Sequence, residues 1–248
     1  MDKVLKYSVL RYSPSTIAGE MINLGILFFE EDLDYREFRY SKKFSRLSSF
    51  DDEINIELVK KLLQSIKFEV ERTVLNYGRF CIESFTEYYI NDYCFEKPKM
   101  IKYDDLHESI EMLNKAYFRF DYDKAERPST ADDRKLIEQI MDAQGKKYKK
   151  NKSVSGRFND NIVFDIVSDD YNIKLFDFNE KQLSKLINVI KAWAWNCKYS
   201  GVVNPIIMYR YDEDEKKPEF ATIMEILKAV DARVFDIEGG MQFIQKTN

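Results

Sequence analysis

Histidine is almost missing from this chain: His107 is the only one among 248 residues. Zinc or iron centres built on several histidines are therefore excluded, and any Ser-His-Asp or Cys-His hydrolase would have to use that one side chain. Cysteine is scarce too. Cys81, Cys94 and Cys197 are odd in number and far apart, too few for a tetrathiolate zinc site, and they suit free thiols in a reducing compartment. Eight glycines and five prolines leave no glycine-rich phosphate loop. Gly239-Gly240 lacks a following Lys-Ser or Lys-Thr and reads as a turn. The longest apolar run, Met21 to Phe29, is broken by Asn23 and Gly25, so nothing approaches a membrane span. The start lacks the basic-then-apolar pattern of a signal peptide, and the expected location is the cytoplasm.

Aromatic residues are plentiful, with 18 Phe and 16 Tyr in a chain that is 44% apolar and 33% charged. Burying so many rings offsets the entropy lost on folding, so the chain is folded and globular. Its length allows one large domain or two small ones. Charge is unevenly spread: residues 1–144 carry 28 acidic and 22 basic side chains, residues 145–248 carry 15 and 17. A net acidic chain is a poor non-specific binder of nucleic acid, although the second half could present a local basic surface.

The patterning predicts an α/β (α+β) protein. Residues 7–12, 22–28 and 35–40 alternate as an antiparallel β-meander broken at Ser13-Pro14-Ser15. A helix follows, with Asn55 as N-cap, a stripe of Leu58, Leu62, Ile66, Val70 and Val74, and Gly78 at its end. Residues 80–97 read as strand. Helices are expected at 104–117 and 131–143, the second capped by Thr130 with Asp133 closing a capping box. Residues 145–156, with five lysines among Gly, Asn and Ser, read as a basic linker between domains 1–144 and 157–248. The second domain reads as ββαβαβ: a hairpin about Asp169-Asp170, a helix over 180–198, a strand at 206–211, a helix at 221–230 and a last strand at 233–237.

Tyr7-Ser-Val-Leu-Arg-Tyr-Ser-Pro14, followed by Gly19-Glu20-Met-Ile-Asn23-Leu-Gly25-Ile-Leu-Phe28, resembles the domain-of-unknown-function 3037 family of bacterial and prophage proteins. Residues 40–50, with Phe44-Ser45-Arg46 inside them, and the helix after them extend the resemblance over roughly residues 4–125. It implies a fold and a setting in mobile elements, and carries over no catalytic residue. Within the motif, Glu20 is placed to pair with Arg11 across the first hairpin, and Gly25 to admit a close neighbour to which Asn23 could bond. A satisfied polar cluster is the plainer reading of Arg11, Glu20 and Asn23; a binding site is the sharper one.

The remaining chemistry is carboxylate chemistry. Metal-dependent nucleases hold a divalent ion with acids at strand ends, often with a lysine nearby. Asp165, Asp177 and Lys174 lie on the predicted hairpin and Glu215 in a charged turn, but Asn172 stands where a carboxylate two before Lys174 is wanted. His107 and Glu111, one helical turn apart, are read as a surface pair rather than metal ligands. No cofactor is expected. Lys147, Lys149 and Lys150, within Lys146 to Lys152, could contact phosphates, with Tyr148, Arg157 and Phe158 for stacking, or be a solvated linker. Trp193 and Trp195 lie two apart on one helix, so one belongs to the core and the other to a partner contact. The expected function is a non-enzymatic protein-binding accessory or inhibitor in a prophage or host–phage conflict setting. The alternative is a metal-dependent nuclease or nucleic-acid binder using the acids of the second part.

Overall fold

The computed structural model describes residues 3–14, 19–72, 80–89, 91–155, 161–179, 183–200, 202, 204–212, 217–230 and 232–247. The chain divides into two compact units, residues 1–128 and 129–248.

The first unit opens with the expected meander: β1 (Val4–Tyr12), β2 (Ile22–Glu30) and β3 (Tyr35–Tyr40). After it come α1 (Ser45–Phe50), α2 (Ile56–Glu71), α3 (Ile82–Glu87), β4 (Tyr93–Phe95), β5 (Lys99–Lys102) and α4 (Leu106–Tyr117). Strand order is β3-β2-β1, and the free edge of β1 is shared by β5 at residues 4–7 and β4 at residues 10–12, all antiparallel. β2 is central and buried from Leu24 to Glu30 because both of its faces are covered. On one face Leu24, Leu27 and Phe29 join Val59, Leu63, Ile66 and Val70 of α2. Elsewhere in the unit Tyr7 meets Tyr117 of α4, hydroxyl to hydroxyl at 3.3 Å.

Asn55 caps α2 as expected, accepting from the Leu58 amide at 3.1 Å. The buried stripe differs from the one read in the sequence. It runs Val59, Leu63, Ile66, Val70, while Leu58 is 64% exposed. A strict four-residue step drifts around a helix of 3.6 residues per turn, whereas alternating steps of four and three stay on one face. Val74 and the Gly78 cap lie outside the described residues. Residues 80–97, read as strand, hold the short helix α3 before β4.

The second unit begins earlier than the sequence suggested. α5 (Thr130–Ala143) belongs to it, capped by Ser129 with Asp132 completing the capping box, one residue ahead of the expected pair. The supposed basic linker is largely strand: β6 (Tyr148–Ser155) pairs antiparallel with β7 (Asn161–Ser168). Its exposed lysines hid it, since an edge strand with only Tyr148 and Val154 part-buried shows no apolar alternation. Then follow β8 (Asn172–Asp177), α6 (Leu183–Ser200), β9 (Pro205–Arg210), α7 (Pro218–Lys228), β10 (Arg233–Asp236) and α8 (Ile237–Lys246). The sheet order is β10-β9-β8-β7-β6, antiparallel from β6 to β8 and parallel from β8 to β10. The expected ββαβαβ order is present, extended by α5, β6 and α8. Gly239-Gly240 is the first turn of α8, not a loop, because Asp236 caps that helix through the Gly239 amide at 2.7 Å. At Gly240 a Cβ would lie 2.6 Å from Met208 Sδ, so the glycine lets α8 sit close on β9.

α6 and α7 share a core with Ile162, Phe164, Phe176 and Ile207 of the sheet and with Phe178 just after β8. α5 is tied to β9 by a bidentate pair between buried Asp133 and buried Arg210, and to α8 by Gln144 Nε2 donating to the Ile244 carbonyl at 3.0 Å. Among the described residues no helix is long and apolar enough to cross a membrane.

Candidate functional site

The motif of the first unit is a structural junction. Arg11 does not reach across the hairpin to Glu20: its Nη2 lies 2.8 Å from Glu96 Oε1, and Glu20 is exposed. The reason is β4, which the sequence pattern gave only as part of a longer strand over 80–97. Its pairing sets Arg11 opposite Cys94 and brings Glu96 alongside, where Lys99 also contacts it at 2.6 Å. Asn23 Nδ2 donates to the Tyr117 carbonyl at 3.4 Å, fastening β2 to the end of α4. Gly25 admits its neighbour as read, since a Cβ there would sit 2.6 Å from Phe38 Cε2. His107 and Glu111 diverge: the imidazole lies edge-on to Tyr35 at 6.1 Å and Glu111 pairs with Arg39.

In the second unit β7 and β8 do bring Asp165 and Lys174 together, at 3.2 Å. The carboxylate is already used. Asp165 Oδ2 accepts from the Leu175 amide at 2.8 Å, and Arg134 approaches Oδ1 at 3.9 Å. Asp177, three residues along β8, accepts from the Asn179 amide at 2.9 Å and so shapes the turn after the strand. Glu215 lies outside the described residues. Among the described residues no group of three His, Cys, Asp or Glu side chains is placed to hold a metal ion.

The lysine run is also partly consumed by the fold. Lys146 Nζ donates to the Thr247 carbonyl at 2.6 Å and to the Tyr171 hydroxyl at 3.2 Å. Lys150 pairs with Glu138 at 2.6 Å. Lys147 and Lys149 are exposed. Tyr148 is part-buried in β6, and that burial, with the nearby Asp142 charge and a hydrogen bond to it, raises the phenol well above its ordinary range. Arg157 and Phe158 lie outside the described residues.

α6 separates its two tryptophans as the spacing requires. Trp193 packs edge-on against Phe164 and Phe176 at 5.7 and 5.8 Å. Trp195 is 57% exposed and its ring lies 4.6 Å from that of Tyr199. Exposed Ala192 and Val189 continue this outward face, and exposed Lys185, Lys191 and Lys198 flank it. Tyr199 escaped the sequence reading, though it stands one turn beyond Trp195 and shares its face. Cys197 points inward, and burial pushes its thiol up to about 11.

No curated protein and no solved structure matches the chain. Residues 7–79, from within β1 to just beyond α2, match the family model described as "Protein of unknown function (DUF3037)".

Proposed function

We propose that the chain is a non-enzymatic protein-binding accessory or inhibitor, cytoplasmic, and of the prophage or host–phage conflict setting implied by its family resemblance. The outward face of α6 carries this reading. Trp195 is exposed and its ring lies tilted against that of Tyr199 rather than packed in the core, and large rigid rings supply contact area at little entropic cost. α6 contains three lysines and no carboxylate. That charge suits a partner offering an apolar pocket bordered by acids. Three free thiols support a reducing compartment.

The test begins with the tagged full chain, used to capture a protein from cells carrying its neighbouring genes. The captured protein is then purified and titrated against wild type and Trp195→Ala. Stoichiometric binding, weakened about 30-fold or more in the variant with an unchanged melting curve, is the expected result for a hot-spot aromatic. Equal affinities would remove α6 from the interface.

One observation favours the nuclease reading, the Asp165–Lys174 contact. Its test is cleavage of DNA or RNA with magnesium or manganese by wild type and Asp165→Ala. No cleavage is expected, because the Asp165 carboxylate is held by two cations and a backbone amide. Activity lost on that substitution would instead establish the nuclease.

A further inference from the structure

A groove of about 510 Å³ opens in the first unit between β3, α2 and the end of α4. It is of the size that small-molecule sites occupy. Its walls combine aromatic rings (Tyr40, Phe118 and Tyr122) with four cations and three carboxylates, and one of the cations, Lys67, is paired with Glu71.

Where the acids are engaged decides which cations are left open. Glu37 receives Arg39 Nε at 2.8 Å and the Tyr35 hydroxyl at 2.7 Å. Burial opposes its charge, yet the hydrogen bonds from Arg39 and Tyr35 hold the carboxyl below its ordinary range, so it stays ionised and paired. Glu111 takes the other end of Arg39. Asp121 accepts from Ser41 Oγ and from the Lys42 amide, both at 3.0 Å. The three carboxylates on the wall are thus engaged by protein donors, while the Lys42 and Lys43 side chains are exposed on it. Two lysines beside one another, with the neighbouring acids engaged, favour a phosphate-sized anion.

The aromatic part of the lining suits a planar ring. Asn114 Nδ2 donates to the Tyr122 hydroxyl at 2.6 Å, which turns the phenolic proton outward and leaves the amide oxygen to accept. An amide acceptor beside aromatic faces can stack a base and take a hydrogen bond from its amino group.

We propose that this groove binds a mononucleotide, its phosphate on Lys42 and Lys43 and its base against Tyr40, Phe118 and Tyr122. The reading is independent of the α6 face, which lies in the other unit.

The test is calorimetric titration of the full chain with AMP, with adenosine and with inorganic phosphate. The same titrations are run on Lys42→Glu/Lys43→Glu, two exposed positions whose reversal should leave the melting curve unchanged. Saturable AMP binding that falls at least about 10-fold in the double variant, with adenosine and phosphate each weaker than AMP, is the expected outcome. Phosphate binding as tightly as AMP would overturn the nucleotide assignment. AMP binding that ignores the charge reversal, or none at millimolar ligand, would overturn the site itself.

Discussion

β2 and β6 are strands of nearly equal length with almost nothing else in common. β2, Ile-Asn-Leu-Gly-Ile-Leu-Phe-Phe-Glu, is held between two neighbours and buried over its last seven residues. β6, Tyr-Lys-Lys-Asn-Lys-Ser-Val-Ser, is held by one neighbour and exposed over most of its length. A strand between two partners must be apolar where the layers close on it, whereas an edge strand is free to be charged and gains protection against pairing with other chains. The same contrast recurs side by side on α6, where Trp193 fills the core and Trp195 faces water. Residues the fold consumes are structural, and those it leaves over are available for function.

The largest expected effect lies where the fold buries charge. Asp133→Ala strands Arg210 inside the second unit and should cost about 3–5 kcal/mol in urea unfolding. A loss no larger than that of a surface substitution would mean the pair is solvated. In β2, Gly25→Ala forces a Cβ against the buried Phe38 ring and should cost about 1–3 kcal/mol, read from the same melts. A neutral result would show that Phe38 can move aside. In β6, by contrast, Lys149→Ala should stay within about 0.5 kcal/mol of wild type; a larger drop would make β6 as constrained as β2 and dissolve the contrast.

The smallest effect is chemical. Cys81 is exposed, whereas burial holds the Cys197 thiol near 11. At pH 8 a thiol reagent should modify Cys81 at once and Cys197 only when the second unit opens, as peptide mapping over time would show. Early labelling of Cys197 would place it at a surface.

The sequence made the meander, the α2 and α6 helices and the β7–β8 hairpin legible because apolar residues recur in each at strand or helix spacing. It hid β6 and α8, and gave β4 only as part of a longer strand, for different reasons. β4 is three residues long, too short for any period to register. β6 is charged and exposed over most of its length, and α8 has two glycines in its first turn that resemble a loop until Asp236 is seen to cap the helix. The candidate site was half legible. Helical spacing alone separates Trp193 from Trp195, and the hairpin pattern put Asp165 and Lys174 on the two strands whose pairing brings them to 3.2 Å. The Arg11–Glu20 pairing failed because Arg11 meets a residue 85 positions further on, and contacts made only by topology leave no local signal.

The central claim is that Trp195 is left in solvent for a partner, and fluorescence tests it directly. Trp193→Phe leaves Trp195 as the chain's only tryptophan. In the free protein its emission should be red-shifted and readily quenched by acrylamide. Adding one equivalent of the purified partner should shift the emission to the blue and suppress the quenching. Quenching that stays unchanged with the partner saturating would contradict the claim.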